Sequence, residues 1–140
     1  MRASTSGGSP TPVKNVIAGL MLLEAATLAI ASIVHFGIVI RLGFMTLDDP
    51  FPGARIPEAV VAFVIALGAL SLLTRWAAAS WLPLAATIFG IIGVLVGIRF
   101  TLMGVGSRPG DLIYHGLLLA ALLVTLALLL LTRAVAADRS

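Results

Sequence analysis

The sequence predicts an all-α protein, a bundle of four helices embedded in a lipid bilayer. Three observations lead there. Apolar residues make up 60% of the chain and charged residues 11%, whereas soluble domains carry about 25% charged residues. The mean hydropathy is +1.14. The apolar residues also fall into four separate runs, each long enough to cross a hydrocarbon core of about 30 Å at 1.5 Å per residue. A length of 140 residues fits one domain.

The chain opens on MRASTSGGSPTPV, Met1 to Val13, which is rich in Ser, Thr, Gly and Pro. It has too little apolar surface to offset its ordering entropy and is expected to be a tail. The first span is predicted over 15–40, with Lys14 at its start and Arg41 at its end. A secretion signal has an apolar region of about 7–15 residues; this run is far longer and lacks a small-residue cleavage pattern, so it reads as a retained helix. Leu42 to Arg55 reads as a loop, turn-rich at Asp48, Asp49, Pro50, Pro52 and Gly53. Its Phe44, Met45, Leu47 and Phe51 are apolar enough to place it over the bundle mouth or in the membrane interface.

The second span is predicted over 56–73. Pro57 fits a first helical position, where its missing N–H costs nothing, and Glu58 complements the helix dipole from the first turn. Ala59, Ala62, Ala66 and Ala69 share one face. A turn at Thr74 to Ser80 follows, with Trp76 and Trp81 as aromatic-belt residues. The third span is predicted over 81–98, ending at Arg99, with Ala86, Gly90, Gly93 and Gly97 aligned. Gly93 and Gly97 form a GxxxG pair suited to close helix approach. After a Gly-rich loop, Asp111 is expected to cap the fourth span, 112–132, and residues 134–140 to form a short tail. Spans two and three are expected to pack through their Ala/Gly faces.

Lipid is therefore the first expected partner. Nine basic against six acidic residues is a small, scattered surplus, which excludes a nucleic-acid surface because that requires a clustered basic face. Cysteine is absent, which excludes disulfides and thiolate chemistry. The side holding the termini carries Arg2, Lys14, Arg75, Arg133 and Arg139; the other side carries Arg41, Arg55, Arg99 and Arg108. This excess places both termini in the cytoplasm of a plasma-membrane protein.

The residues that do not belong in hydrocarbon are the candidates for function. Glu24 and His35 lie eleven positions apart, about 20° around a helix, with Thr27, Ala31 and Ser32 near the same line. Such a polar stripe must face protein or trapped water. His35 and His115 each fall roughly 6–9 Å inside the same outer boundary. With Arg41, Glu58, Arg99, Asp111 and Tyr114 they form a candidate polar cluster, and Glu24 lies deeper, near the midplane. Capping and snorkelling account for Arg41, Arg99 and Asp111 without any site. They account less well for the histidines, and hardly for Glu24, whose ordinary reading is a neutral acid bonded to Thr27 or to a facing helix.

Three functional readings follow. In the first, a pocket in the outer half of the bundle binds a quinone or other lipophilic molecule through Glu24, His35, Glu58, Arg99, Tyr114 and His115, because such sites combine apolar walls with a few convergent polar groups. In the second, His35 and His115 are axial ligands of a b-type haem. In the third, Glu24 is the coupling carboxylate of a proton- or cation-driven transporter. No Ser–His–acid order, HExxH motif or phosphate loop is present, so no catalytic activity of its own is expected. A homo-oligomer is compatible with four thin helices.

The segment Ile56 to Ala78, IPEAVVAFVIALGALSLLTRWAA, resembles the second span of the DoxX-like family of small four-helix membrane proteins. Pro57, Glu58, Gly68, Thr74 and Arg75 carry the resemblance. It implies association with membrane oxidoreductase subunits and quinone chemistry, as an accessory protein. The chain departs from that pattern at Val64, Ile65 and Ala66, where the resemblance implies an acidic residue. The small multidrug antiporters also have four spans and a first-helix glutamate, but with shorter loops and an aromatic pattern that is absent around Glu24.

Overall fold

The computed structural model describes residues 12–74, 81–104 and 110–138. The expected tail at residues 1–11, Arg75 and Trp76 of the first turn, and Arg108 lie outside the described residues. Four helices dominate: α1 (Pro12–His35), α2 (Pro52–Leu73), α3 (Leu82–Leu102) and α4 (Asp111–Ala137). All four are long and apolar enough to cross a membrane, with mean hydropathies of 2.0 to 2.4. The protein is an all-α four-helix bundle whose apolar surface fits a lipid bilayer.

Each helix packs against its neighbour in sequence, and α4 closes back on α1. The α1–α2 contact is the most extensive and the α1–α4 contact the least. Ile17, Met21 and Leu28 of α1 meet Val61 and Ile65 of α2, with Val94 of α3 and Leu122 of α4 completing the core. The glycines of α3 are seats for side chains. A Cβ on Gly90 would lie 2.8 Å from Ile65 Cδ1, and one on Gly93 2.8 Å from Val61 Cγ2. The Ala/Gly faces of α2 and α3 thus interlock branched side chains of α2 with notches in α3, where the GxxxG spacing had suggested backbone against backbone. Of the aligned α2 alanines, Ala62 and Ala69 are buried, but Ala59 is exposed.

The helix ends correct the sequence reading in five places. The first helix stops at His35, not Ile40. Gly37 N–H donates to Val34 O (2.9 Å) and Ile38 N–H to Ile33 O (3.4 Å), the paired bonds of a Schellman motif, with Gly37 at φ +87°. Glycine takes that left-handed position without a Cβ penalty. The residues beyond it form a hairpin of β1 (Ile40–Leu42) and β2 (Met45–Leu47), antiparallel with Arg41 opposite Thr46. Gly43, at φ +63°, begins the two-residue turn, and Phe44 at its tip is 97% exposed. Arg41 therefore belongs to a strand and does not end a span.

In α2 the first helical position is taken by Pro52, leaving Pro57 inside the helix. Pro57 has no N–H for the Gly53 carbonyl, so the helix loses one bond there. Glu58 is correspondingly carried past the first turn and buried. Arg99 lies in the last turn of α3, which runs on to Leu102. In α4 the N-cap is Gly110 and Asp111 is the first helical residue, with no side-chain cap. The helix continues to Ala137 through most of the expected tail.

Candidate functional site

At the hairpin end of the bundle, residues from all four helices surround a cavity of about 470 Å³. Its walls are mostly apolar, with Leu28 from α1, Val60 and Val61 from α2, and Phe89, Val96 and Phe100 from α3. His35, Glu58, Asp111, Tyr114 and His115 line its polar end. Ile56, Val60, Phe89, Val96 and Phe100 line the cavity, are 42–59% exposed, and all lie on α2 or α3. The cavity therefore opens sideways between these two helices, on the surface that lipid would cover.

Each polar residue is held by its local chain. His35 is the last residue of α1, and its ring meets Phe51 edge-on, with centroids 5.9 Å apart. Its Nδ1 donates to the Asp49 carbonyl at 2.8 Å. A carbonyl only accepts, so Nδ1 carries a hydrogen, and the tautomer is set by backbone. Its Nε2 lies 3.4 Å from Glu58 Oε2. One turn earlier on α1, Ser32 Oγ donates to the Arg55 carbonyl at 2.5 Å, tying α1 to the start of α2. The Arg55 guanidinium stands 5.2 Å over the Phe36 ring, a cation–π contact.

Across the cavity, His115 Nδ1 donates to the Asp111 carbonyl at 2.7 Å, so this imidazole too has its hydrogen assigned. Tyr114 packs edge-on against the His115 ring, with centroids 5.0 Å apart. The Nε2 edge of His115 presses on Gly97, in the space that a Cβ would take. The Tyr114 hydroxyl is buried and has no hydrogen-bond partner among the described residues. Glu58 lies within electrostatic range of His35, Asp111, Asp49 and Tyr114.

The remaining candidates lie elsewhere. Arg99 is exposed and Arg41 is on the hairpin. Glu24 is 3% exposed and lies below the cavity, where Thr125 Oγ1 of α4 donates to its Oε1 at 2.7 Å. Thr27 instead donates to the Leu23 carbonyl of its own helix at 2.8 Å, so the facing helix, not Thr27, supplies the partner of Glu24.

Sequence reasoning missed Asp49, Phe51, Gly97 and Thr125 as parts of these arrangements. For Thr125 a signal existed, since Glu24 and Thr125 each lie twelve residues from the terminal end of their helix, at Pro12 and Ala137. Among the described residues, no group of three or more His, Asp or Glu is placed to hold a metal ion. Comparison with protein-family models, curated proteins and solved structures finds no match to this chain.

Proposed function

We propose that this chain is a membrane-embedded binding protein. Its cavity takes a lipophilic small molecule with a polar head, of quinone-like kind, directly from the bilayer. One observation carries the reading: an apolar cavity of about 470 Å³ opens between α2 and α3 and ends on converging His35, Glu58, Tyr114 and His115. That volume lies within the range of about 300–1,000 Å³ usual for small-molecule sites. The bilayer would supply the tail's environment at the mouth and the bundle would supply partners for the head. The resemblance of Ile56–Ala78 to the DoxX-like family supports an accessory role beside a membrane oxidoreductase. The basic residues at the terminal end support termini in the cytoplasm.

Val96 lines the mouth and is 48% exposed, so Val96→Trp blocks access without overfilling the core. Titration of an alkylated benzoquinone into the purified protein is expected to saturate, and Val96→Trp to weaken binding at least about tenfold, or about 1.4 kcal/mol, with an unchanged melting temperature. A wild-type protein that does not bind, or a Trp variant that binds equally well, would overturn the reading.

A further inference from the structure

We propose that the cavity selects an uncharged head group that accepts hydrogen bonds, a ketone or quinone carbonyl, with the Tyr114 hydroxyl as its donor. This deepens the binding reading above and rests on it.

The inference comes from an inventory of hydrogens at the polar end. The Nδ1–H of His35 is used on the Asp49 carbonyl and that of His115 on the Asp111 carbonyl. His35 Nε2 then faces Glu58 Oε2 at 3.4 Å. With Nδ1 already carrying a hydrogen, Nε2 bears one only when the ring is cationic. Two lone pairs facing each other would repel, so the favourable states place one proton between these atoms, as imidazolium with carboxylate or as imidazole with carboxylic acid. Either state is neutral as a pair, the arrangement a low-dielectric site tolerates. A head with a formal charge would bring its own desolvation penalty, and an anionic one would also meet the Asp111 carboxylate at the same end.

Two buried atoms of this end have no hydrogen-bond partner, Glu58 Oε2, which faces His35 Nε2 at 3.4 Å, and the Tyr114 hydroxyl, which faces no such group and is the donor left over. Its oxygen is buried without a partner on a residue that lines the cavity, and a buried polar group in that state costs about 1–3 kcal/mol. A ligand carbonyl completes it. The same ring is braced by His115, which is itself anchored to Asp111 and seated on Gly97. The donor is therefore held in place before a ligand arrives.

The test compares three probes sharing one tail: decyl-benzoquinone, decyl-hydroquinone and decylbenzene, each titrated by calorimetry into the full chain in detergent. The quinone is expected to bind about three- to tenfold more tightly than decylbenzene, the range of one net hydrogen bond. Tyr114→Phe is expected to bring that ratio to about one while leaving decylbenzene affinity unchanged and raising the melting temperature, since the unpartnered hydroxyl is removed. If decylbenzene binds as tightly as the quinone, or the hydroquinone binds best, the head-group assignment falls while the cavity reading stands. A ratio unchanged in Tyr114→Phe also overturns the assignment. If no probe saturates, the binding reading itself falls.

Discussion

At Gly97 a hydrogen takes the place of a side chain, and the His115 ring fills the space a Cβ would need. His115 gains its fixed orientation there, between the Asp111 carbonyl and the α3 backbone, and Tyr114 leans on it in turn. Gly97→Ala is therefore expected to push the ring out of its seat, lowering stability by about 1–3 kcal/mol, as overpacking does, and weakening quinone binding with it. Gly19 of α1 is the control, because a Cβ there meets nothing within 4 Å. Gly19→Ala should raise stability by up to about 1 kcal/mol by restricting the unfolded chain. Thermal unfolding of both variants in one detergent checks the contrast; equal shifts would remove the packing role assigned to Gly97.

At the scale of the element, Glu24 and Thr125 form a hydrogen bond between α1 and α4, the least extensive of the four helix contacts around the bundle. A double-mutant cycle with Glu24→Leu and Thr125→Val is expected to give a coupling of about 0.6–1.7 kcal/mol, the range found for such bonds in membrane bundles. The double variant should be less destabilised than the single changes added together, since both polar partners leave at once. Additive losses would show that the two side chains act independently. If Glu24 were instead a coupling carboxylate, Glu24→Gln would abolish proton-driven transport in vesicles; a packing role predicts that ligand binding survives this change.

The helices were legible because their apolar runs exceed what any strand or soluble helix would need, and His35, Glu58, Tyr114 and His115 were legible as one cluster because all four lie near the same ends of their spans, although the count from Arg41 set His35 deeper than the end of α1, where it lies. Rotation about each helix axis does not. The partner of Glu24 and the opening between α2 and α3 depend on which face of each helix turns inward, which near-uniform hydrophobicity leaves weakly encoded. The end of α1 was a different matter. Gly37 carried the stop signal, but the apolar residues on both sides of it continue the run, so hydrophobicity concealed the turn and the hairpin beyond.

For the molecule as a whole, the hairpin and the cavity lie at one end of the bundle and Pro12 and Ala137 at the other. The side on which the polar end opens therefore follows from which end faces the cytoplasm. In the orientation proposed above, with the terminal end inside, the hairpin and the polar end of the site face outward. Because the chain has no cysteine, a single introduced thiol reports one position. Pro50, exposed between the hairpin and α2, and Thr74, exposed at the opposite end of α2, lie at the two ends of one spanning helix. In intact cells, Pro50→Cys is expected to react with a membrane-impermeant maleimide, and Thr74→Cys only after permeabilisation. The reverse pattern would invert the orientation and turn the polar end of the cavity toward the cytoplasm. Labelling of both in intact cells would mean that α2 does not span the bilayer, and the route from lipid into the α2–α3 opening would go with it.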